Sequence, residues 1–212
     1  MKSKFLDRNL ALETVRITEV AALSSSLHMG RGDENMADQS AVNAMRSFLN
    51  NMPISGKIVI GEGERDKAPM LFIGEQVGKG GPIVDIALDP LEGTTITAKG
   101  GENALSVLAI GEEGSFLHSP DIYMYKIAYG NKYKELEINP EDEPENIIKN
   151  FSKYSEIEIE NVCVCILDRP RHKELINQVR STGARIKLIA DGDVSAVIAA
   201  LSRHVVLWRI SH

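Results

Sequence analysis

Ile83-Val-Asp-Ile-Ala-Leu88, followed at once by Asp89-Pro-Leu-Glu-Gly-Thr94, decides how this chain is read. The first six residues form an apolar run of strand length. Pro90 has no N–H to give to a ladder, so the sequence predicts that the strand stops and the chain turns there. Two carboxylates three residues apart, Asp89 and Glu92, leave the strand end together with Gly93 and Thr94. Hard oxygen donors in such a group suit Mg²⁺ or Mn²⁺. Metal-assisted phosphate chemistry is therefore the hypothesis to test against the rest of the chain.

The surrounding sequence supplies an α/β setting. Leu12, Val15, Ala22, Leu23 and Leu27 recur near helical spacing and predict an amphipathic helix over 10–29, stopped by Gly30. Val42, Met45, Phe48 and Leu49 form the apolar stripe of a second helix from about Asp38. A strand at Lys57–Ile60 leads into Gly61-Glu-Gly-Glu-Arg-Asp66, and Pro69 is expected to start a helix through Met70, Ile73 and Val77. Strands follow near 104–110, 123–128 and 133–138, the last two joined by a tight Gly130-Asn131 turn. Beyond an acidic connector at 139–146, the pattern alternates: strand 162–167, helix 170–181, strand 185–190, helix 194–201. That order predicts a βαβ crossover with parallel strands.

With 212 residues, 43% of them apolar, the chain can bury a sizeable core. The net charge of −6 argues against a nucleic-acid partner, which needs a basic face. It leaves room for an anionic substrate, because bound metals and local Arg or Lys reverse the field. No signal peptide and no membrane-spanning run are visible, so a cytoplasmic setting is expected. Cys163 and Cys165 share one face of a strand and read as two buried small hydrophobes.

Acidic residues gather at the edges of regular elements: Asp33 and Asp38, then Glu62, Glu64 and Asp66, then Asp89 and Glu92. Ligands in open α/β sheets bind at strand ends. Each group also has a plainer reading. Asp38 could be a helix N-cap, Glu62–Asp66 a solvated turn, and Asp89 a cap on its own turn. Twice over, at two strand ends, turn chemistry explains them poorly. A P-loop, a zinc-type histidine spacing and a Gly-x-Ser-x-Gly elbow are all missing.

The segments Met29-Gly-Arg-Gly-Asp33, Ala37-Asp38, Val59-Ile-Gly-Glu-Gly-Glu-Arg-Asp66, Ala68-Pro-Met-Leu71 and Val84–Thr94 resemble the class II fructose-1,6-bisphosphatases. So do Asn103–Val107, Pro120–Met124, Arg169-Pro-Arg-His172 and Asp191-Gly-Asp193. These enzymes belong to the lithium-sensitive, metal-dependent sugar and inositol phosphatases. The resemblance implies a layered α/β/α/β/α fold. It implies that Asp38 and Glu62 hold one divalent metal, and Asp89 and Glu92 another. It casts Thr94 as orienting the attacking water or lying beside a metal, and Asp66 as helping to activate that water. It assigns Glu92, Gly93, Thr94, Tyr123, Arg169, Pro170, Arg171, Asp191, Gly192 and Asp193 to the substrate. Arg169 and Arg171 could otherwise be surface residues at a helix start.

The implied reaction is removal of the 1-phosphate of fructose 1,6-bisphosphate, with Mn²⁺ or Mg²⁺, in gluconeogenesis. A related sugar or inositol phosphatase and a non-catalytic remnant are the alternatives, and homo-oligomerisation stays open. Magnitudes favour metals over proton shuttles. Phosphomonoester hydrolysis needs acceleration of up to ~10²¹-fold, and general acid–base help gives only about 10²–10⁴-fold. The expected organisation is a metal-binding domain over 1–140, a partial substrate-binding domain over 141–201, and a tail, 202–212, unlike the family. The family continues into a Gly-Gly-Ala-Pro-Glu-Gly loop that supplies a further metal ligand. The sequence reads as C-terminally truncated before it, with lowered activity and an exposed sheet edge expected.

Overall fold

A computed structural model describes residues 8–62, 70–117, 124–202 and 205–208. It divides into two compact units, residues 1–121 and 122–212, each a mixed α/β assembly. Residues 122–140, read from sequence with the first domain, belong to the second unit.

In the first unit, helices α1 (Arg8–Ser26) and α2 (Glu34–Leu49) pack together and against the sheet. The four strands are β1 (Ser55–Ile60), β2 (Gln76–Val77), β3 (Ile83–Glu92) and β4 (Leu105–Glu112), in the order β2-β1-β3-β4. β1 and β3 are parallel, and the outer pairs are antiparallel. The short helix α3 (Thr94–Lys99) follows β3. Side chains alternate along β3, so Val84, Ile86 and Leu88 meet Met45 and Leu49 of α2 in the core. Asp33, not Asp38, caps α2: its Oδ1 accepts from Met36 N at 3.0 Å.

Three expectations change here. The apolar stripe read for α1 faces outward. Ile17, Ala21 and Ser25 are the buried positions, whereas Leu12, Val15, Leu23 and Leu27 are exposed. Small residues explain this, because Ala21, Ala37 and Ala41 are all buried and allow α1 and α2 close approach. The helix expected from Pro69 does not form over 70–77. Gly74 N donates to Ile58 O and Ile58 N to Glu75 O, so this backbone bonds to β1 instead of to itself. Gly74 and Gly78, at φ +94° and +99°, break any helical run. Finally, the chain does not turn at Pro90. β3 runs through it, and a bulge between Asp89 and Glu92 absorbs the missing N–H. Among the described residues, β3 beyond Ala87 is paired only with β4.

The second unit holds β5 (Ile127–Ala128), α4 (Pro144–Ser155), β6 (Cys163–Leu167), α5 (Lys173–Ser181), β7 (Arg185–Ile189), α6 (Asp193–Ser202) and β8 (Val205–Trp208). Its sheet order is β5-β8-β6-β7, with β6 parallel to both β7 and β8. The expected crossover is therefore present as β6–α5–β7. Alternation on β6 builds two layers: Val164 and Ile166 pack with α4 and α5, and Cys165 packs with Ala196 and Ala200 of α6. Both cysteines are free thiols.

The hairpin expected over 123–138 is absent among the described residues. β5 pairs with β8, and the chain after Gly130 coils into a 3-10 turn, Asn131–Tyr133. Tyr133 is drawn inward, its ring edge-on to Phe151 at 4.9 Å. Burying that ring outweighs the hairpin's turn preference. β8 pairs within the sheet in the segment read as a foreign tail. Among the described residues no helix is long and apolar enough to cross a membrane.

Candidate functional site

In the first unit the acids converge from three elements. Asp38 projects from the second turn of α2. Glu62 follows β1, its backbone N–H tied to Leu71 O at 3.0 Å. Asp89 stands at the β3 bulge, where its Oδ1 accepts from Leu91 N at 3.0 Å. That bond is the local turn cap the sequence allowed. Glu92 is buried at the end of the same strand, and half-buried Thr94 opens α3. Between them Gly93 adopts φ +98°, and a Cβ there would come within 3.3 Å of the Ala104 backbone.

The loop Met29–Asp33 sets these elements side by side. Gly30 N and Gly32 N donate to Thr97 O and Ala98 O at 2.9 and 2.8 Å. The last carbonyls of α3 are thus satisfied by the loop that starts α2.

The electrostatics mark Asp38 and Glu62 as a coupled pair. Glu62 is pushed up to about 8. Burial is the main cause, followed by the charges of Asp38 and Asp89, with Arg46 opposing. Burial also raises Asp38. The two carboxyls lie close enough to share a proton. No other donor among the described residues reaches Asp38 Oδ1 or Glu62 Oε2, which are both buried. Buried acceptors without donors are costly unless a cation or proton meets them.

This observation tests whether the residues suit a metal. The donors are hard oxygens, they are desolvated, and they repel one another, so they fit a divalent cation. Among the described residues no three His, Cys, Asp or Glu side chains form a ready-made ligand cluster. The fit therefore rests on the Asp38–Glu62 pair and the field of Asp89. Asp66, expected beside them, lies outside the described residues, as does Tyr123.

Arg46 is the residue the sequence reading missed. It sits on α2 beside the buried Met45 and Leu49. Its Nε bonds Glu75 Oε1 at 2.8 Å and its Nη2 bonds Met70 O. It thereby ties down the chain that returns from Glu62, and it is the positive charge that moderates that glutamate. A basic residue within an apolar helix stripe was the available signal.

In the second unit the remaining candidates leave the C-terminal ends of adjacent parallel strands. Arg169-Pro-Arg171 follows β6, and Asp191-Gly-Asp193 follows β7. Asp168 N donates to Ile189 O at 2.8 Å and joins the two strand ends. Arg169 Nη2 stands 3.6 Å from Asp191 Oδ1. α5 follows β6 and α6 follows β7, and the two helices pack on opposite faces of β6, the arrangement of a switch point where open sheets take ligands. Gly192, at φ +83°, makes the turn into α6, and Asp193 is buried at that helix start.

Fold and site together define a mixed α/β protein with carboxylates and an arginine-aspartate pair at its strand ends. Residues 8–207 match the family described as bacterial fructose-1,6-bisphosphatase, glpX-encoded, and the chain belongs to that family. Residues 202–207, expected to fall outside the resemblance, lie within the match. Among curated relatives, the chain is 45% identical to the D-fructose 1,6-bisphosphatase class 2/sedoheptulose 1,7-bisphosphatase of Synechococcus sp. (strain JA-2-3B'a(2-13)), over 92% of this chain and 60% of that protein. It is 49% identical to fructose-1,6-bisphosphatase 1 class 2 of Escherichia coli (strain K12), over 90% of this chain and 57% of that one. The chain thus spans about 60% of the length of the curated relatives it matches. A solved structure, an extragenic suppressor from Pyrococcus furiosus, aligns with a TM-score of 0.47 at 13% identity, over 92% of this chain and 72% of its own.

Proposed function

We propose that this chain carries the metal-binding and substrate-holding residues of a sugar-bisphosphate phosphatase. The reaction is hydrolysis of fructose 1,6-bisphosphate to fructose 6-phosphate and phosphate. The observation that carries this is the Asp38–Glu62 pair: two half-buried carboxyls, each with one buried oxygen, coupled to each other and to the charge of Asp89, in a chain of the fructose-bisphosphatase family. Asp38 and Glu62 would hold one divalent ion, and Asp89 with Glu92 another, Mn²⁺ or Mg²⁺. When bound, such ions would neutralise charge at the phosphoryl oxygens and make a bound water more acidic.

The chain's own groups do the rest. Gly93, without a Cβ, lets the backbone come close to the phosphoryl group. The Thr94 hydroxyl accepts from, and so orients, the attacking water, and Asp66 takes up its proton. Arg169 and Arg171 offer forked N–H donors that match the non-reacting phosphate. Asp191 and Asp193 accept from sugar hydroxyls, with Asp191 held in place by Arg169. Gly192, Pro170 and Tyr123 shape the surroundings of the sugar. The double name of the Synechococcus relative supports a seven-carbon bisphosphate as a second substrate. The two free thiols accord with a reducing, cytoplasmic setting.

Phosphate release from fructose 1,6-bisphosphate with Mn²⁺ or Mg²⁺ tests the proposal. Turnover that is abolished in Asp38→Asn supports it. Metal binding by calorimetry without any turnover would instead favour a non-catalytic remnant.

A further inference from the structure

The turn between β6 and α5 has one buried side chain, and the proposed mechanism does not use it. Asp168, Pro170 and Arg171 are exposed and Arg169 is half-buried, whereas His172 is only 1% exposed. Burying an imidazole is costly unless its N–H finds a partner. Here Nδ1 lies 2.8 Å from Leu167 O, the carbonyl of the last residue of β6. A carbonyl oxygen can only accept, so Nδ1 carries the proton and donates it to this bond. The same carbonyl accepts from Arg169 N at 3.0 Å, and His172 N donates to Arg169 O at 2.8 Å. Both backbone groups of Arg169 thus end on a clamp formed by Leu167 and His172. Pro170, with its fixed φ, stiffens the segment inside the clamp.

We infer that His172 is a positioning residue: its buried Nδ1–H holds Leu167 O and so sets the turn that presents Arg169 to the phosphate that is not removed. The inference rests on the reading of Arg169 as a phosphate ligand, and it adds the group that fixes that ligand. Packing alone does not select an imidazole here, because an apolar ring would fill the space without the bond. The bond matters for aim. A guanidinium stands at the end of a long flexible chain, and groups at a site must be held within about 0.5 Å and 10–20° of their working geometry. Asp191 steadies the tip of Arg169, with Oδ1 at 3.6 Å from Nη2. That contact aims the guanidinium only while the backbone beneath it stays in place. The rest of the turn faces solvent, so the imidazole is its one side-chain anchor in the fold.

Three substitutions in the whole chain test this. His172→Asn puts an amide N–H where Nδ1 stood but leaves a cavity. His172→Phe fills the space of the ring without a donor, and His172→Gln carries its amide one bond further out. The first readout is the Nε–H resonance of Arg169 in NMR spectra, assigned with Arg169→Lys. The second is calorimetric binding of fructose 6-phosphate, which keeps the phosphate that is not removed. The parent chain should show the imidazole proton on Nδ1 and an Arg169 signal away from the free-arginine position. His172→Phe and His172→Gln should both return that signal to the free-arginine position and weaken fructose 6-phosphate binding about ten-fold. His172→Asn should keep the signal and bind within about three-fold of the parent, even though its cavity lowers the thermal melt. A packing role gives the opposite order, with His172→Phe the best tolerated. An Arg169 signal that His172→Gln and His172→Phe leave unmoved overturns the inference. So does His172→Asn failing as badly as His172→Phe, or a proton found on Nε2. A parent chain that does not bind fructose 6-phosphate refutes the phosphate reading of Arg169 instead, and the Arg169 signal still decides whether His172 positions it.

Discussion

Replacing Glu62 by Gln separates the cost of the acid pair from its use. Glu62 titrates near 8 in the folded chain against an ordinary 4.5. Its folded form therefore holds a proton that the unfolded form has lost between those two values. The stability tied to that proton is full below pH 4.5 and is lost as pH rises through 8. Over about 3.5 units, at 1.36 kcal/mol each, the loss reaches a ceiling of about 5 kcal/mol. Gln cannot ionise, and its amide can donate to Asp38. In metal-free protein, urea unfolding should thus find Glu62→Gln and the parent alike near pH 4.5. By pH 8.5 the variant should be more stable by about 2–5 kcal/mol. Adding Mn²⁺ should then reverse the order, since the parent regains stability by binding and the variant has lost a ligand. Equal pH slopes for the two proteins, or a variant less stable at pH 8.5 without metal, would refute the reasoning.

Three further outcomes follow from the same geometry. Arg46→Ala leaves partly buried Glu75 without its fork and should cost about 2–4 kcal/mol in denaturant unfolding; Arg46→Lys should recover little, lacking the second N–H arm. Phe151→Ala empties the core of the second unit and removes the edge-on partner of Tyr133, a loss of about 3–5 kcal/mol by calorimetry. Burial pushes the Cys165 thiol up to about 11, so at pH 8 a thiol reagent should label Cys163 in the folded chain and reach Cys165 only on unfolding.

Much of this architecture was legible because periodicity and burial agreed. The second helix buries its apolar stripe at Val42, Met45 and Leu49, and β6 and α5 bury theirs, with β7 and α6 following in the expected order. The α1 reading failed for an instructive reason. Periodicity finds an apolar face, but the core selected the smaller one, since Ala21 fits against Ala37 and Ala41 where leucines would hold the helices apart. The segment 70–77 has helical spacing, yet its backbone groups find partners on β1, and non-local pairing outweighs local preference. At the site, residue type and position made Asp38, Glu62, Asp89 and Glu92 candidates, and the structure brings Asp38 and Glu62 together within the field of Asp89. Arg46 escaped, because a basic residue within the stripe of α2 does not say which partner it meets, and Glu75 lies 29 positions later.

Pro90 has a consequence for how the first unit assembles. A slip of β3 by one residue against β4 would turn every side chain to the opposite face. It would also carry the proline ring into a ladder position that demands an N–H. Only the observed pairing leaves Pro90 inside the bulge, where no donor is called for. The proline therefore acts as an index mark on the strand. It penalises out-of-step pairings as the sheet forms, and so fixes the spacing of Asp89 and Glu92 before any ion or substrate arrives.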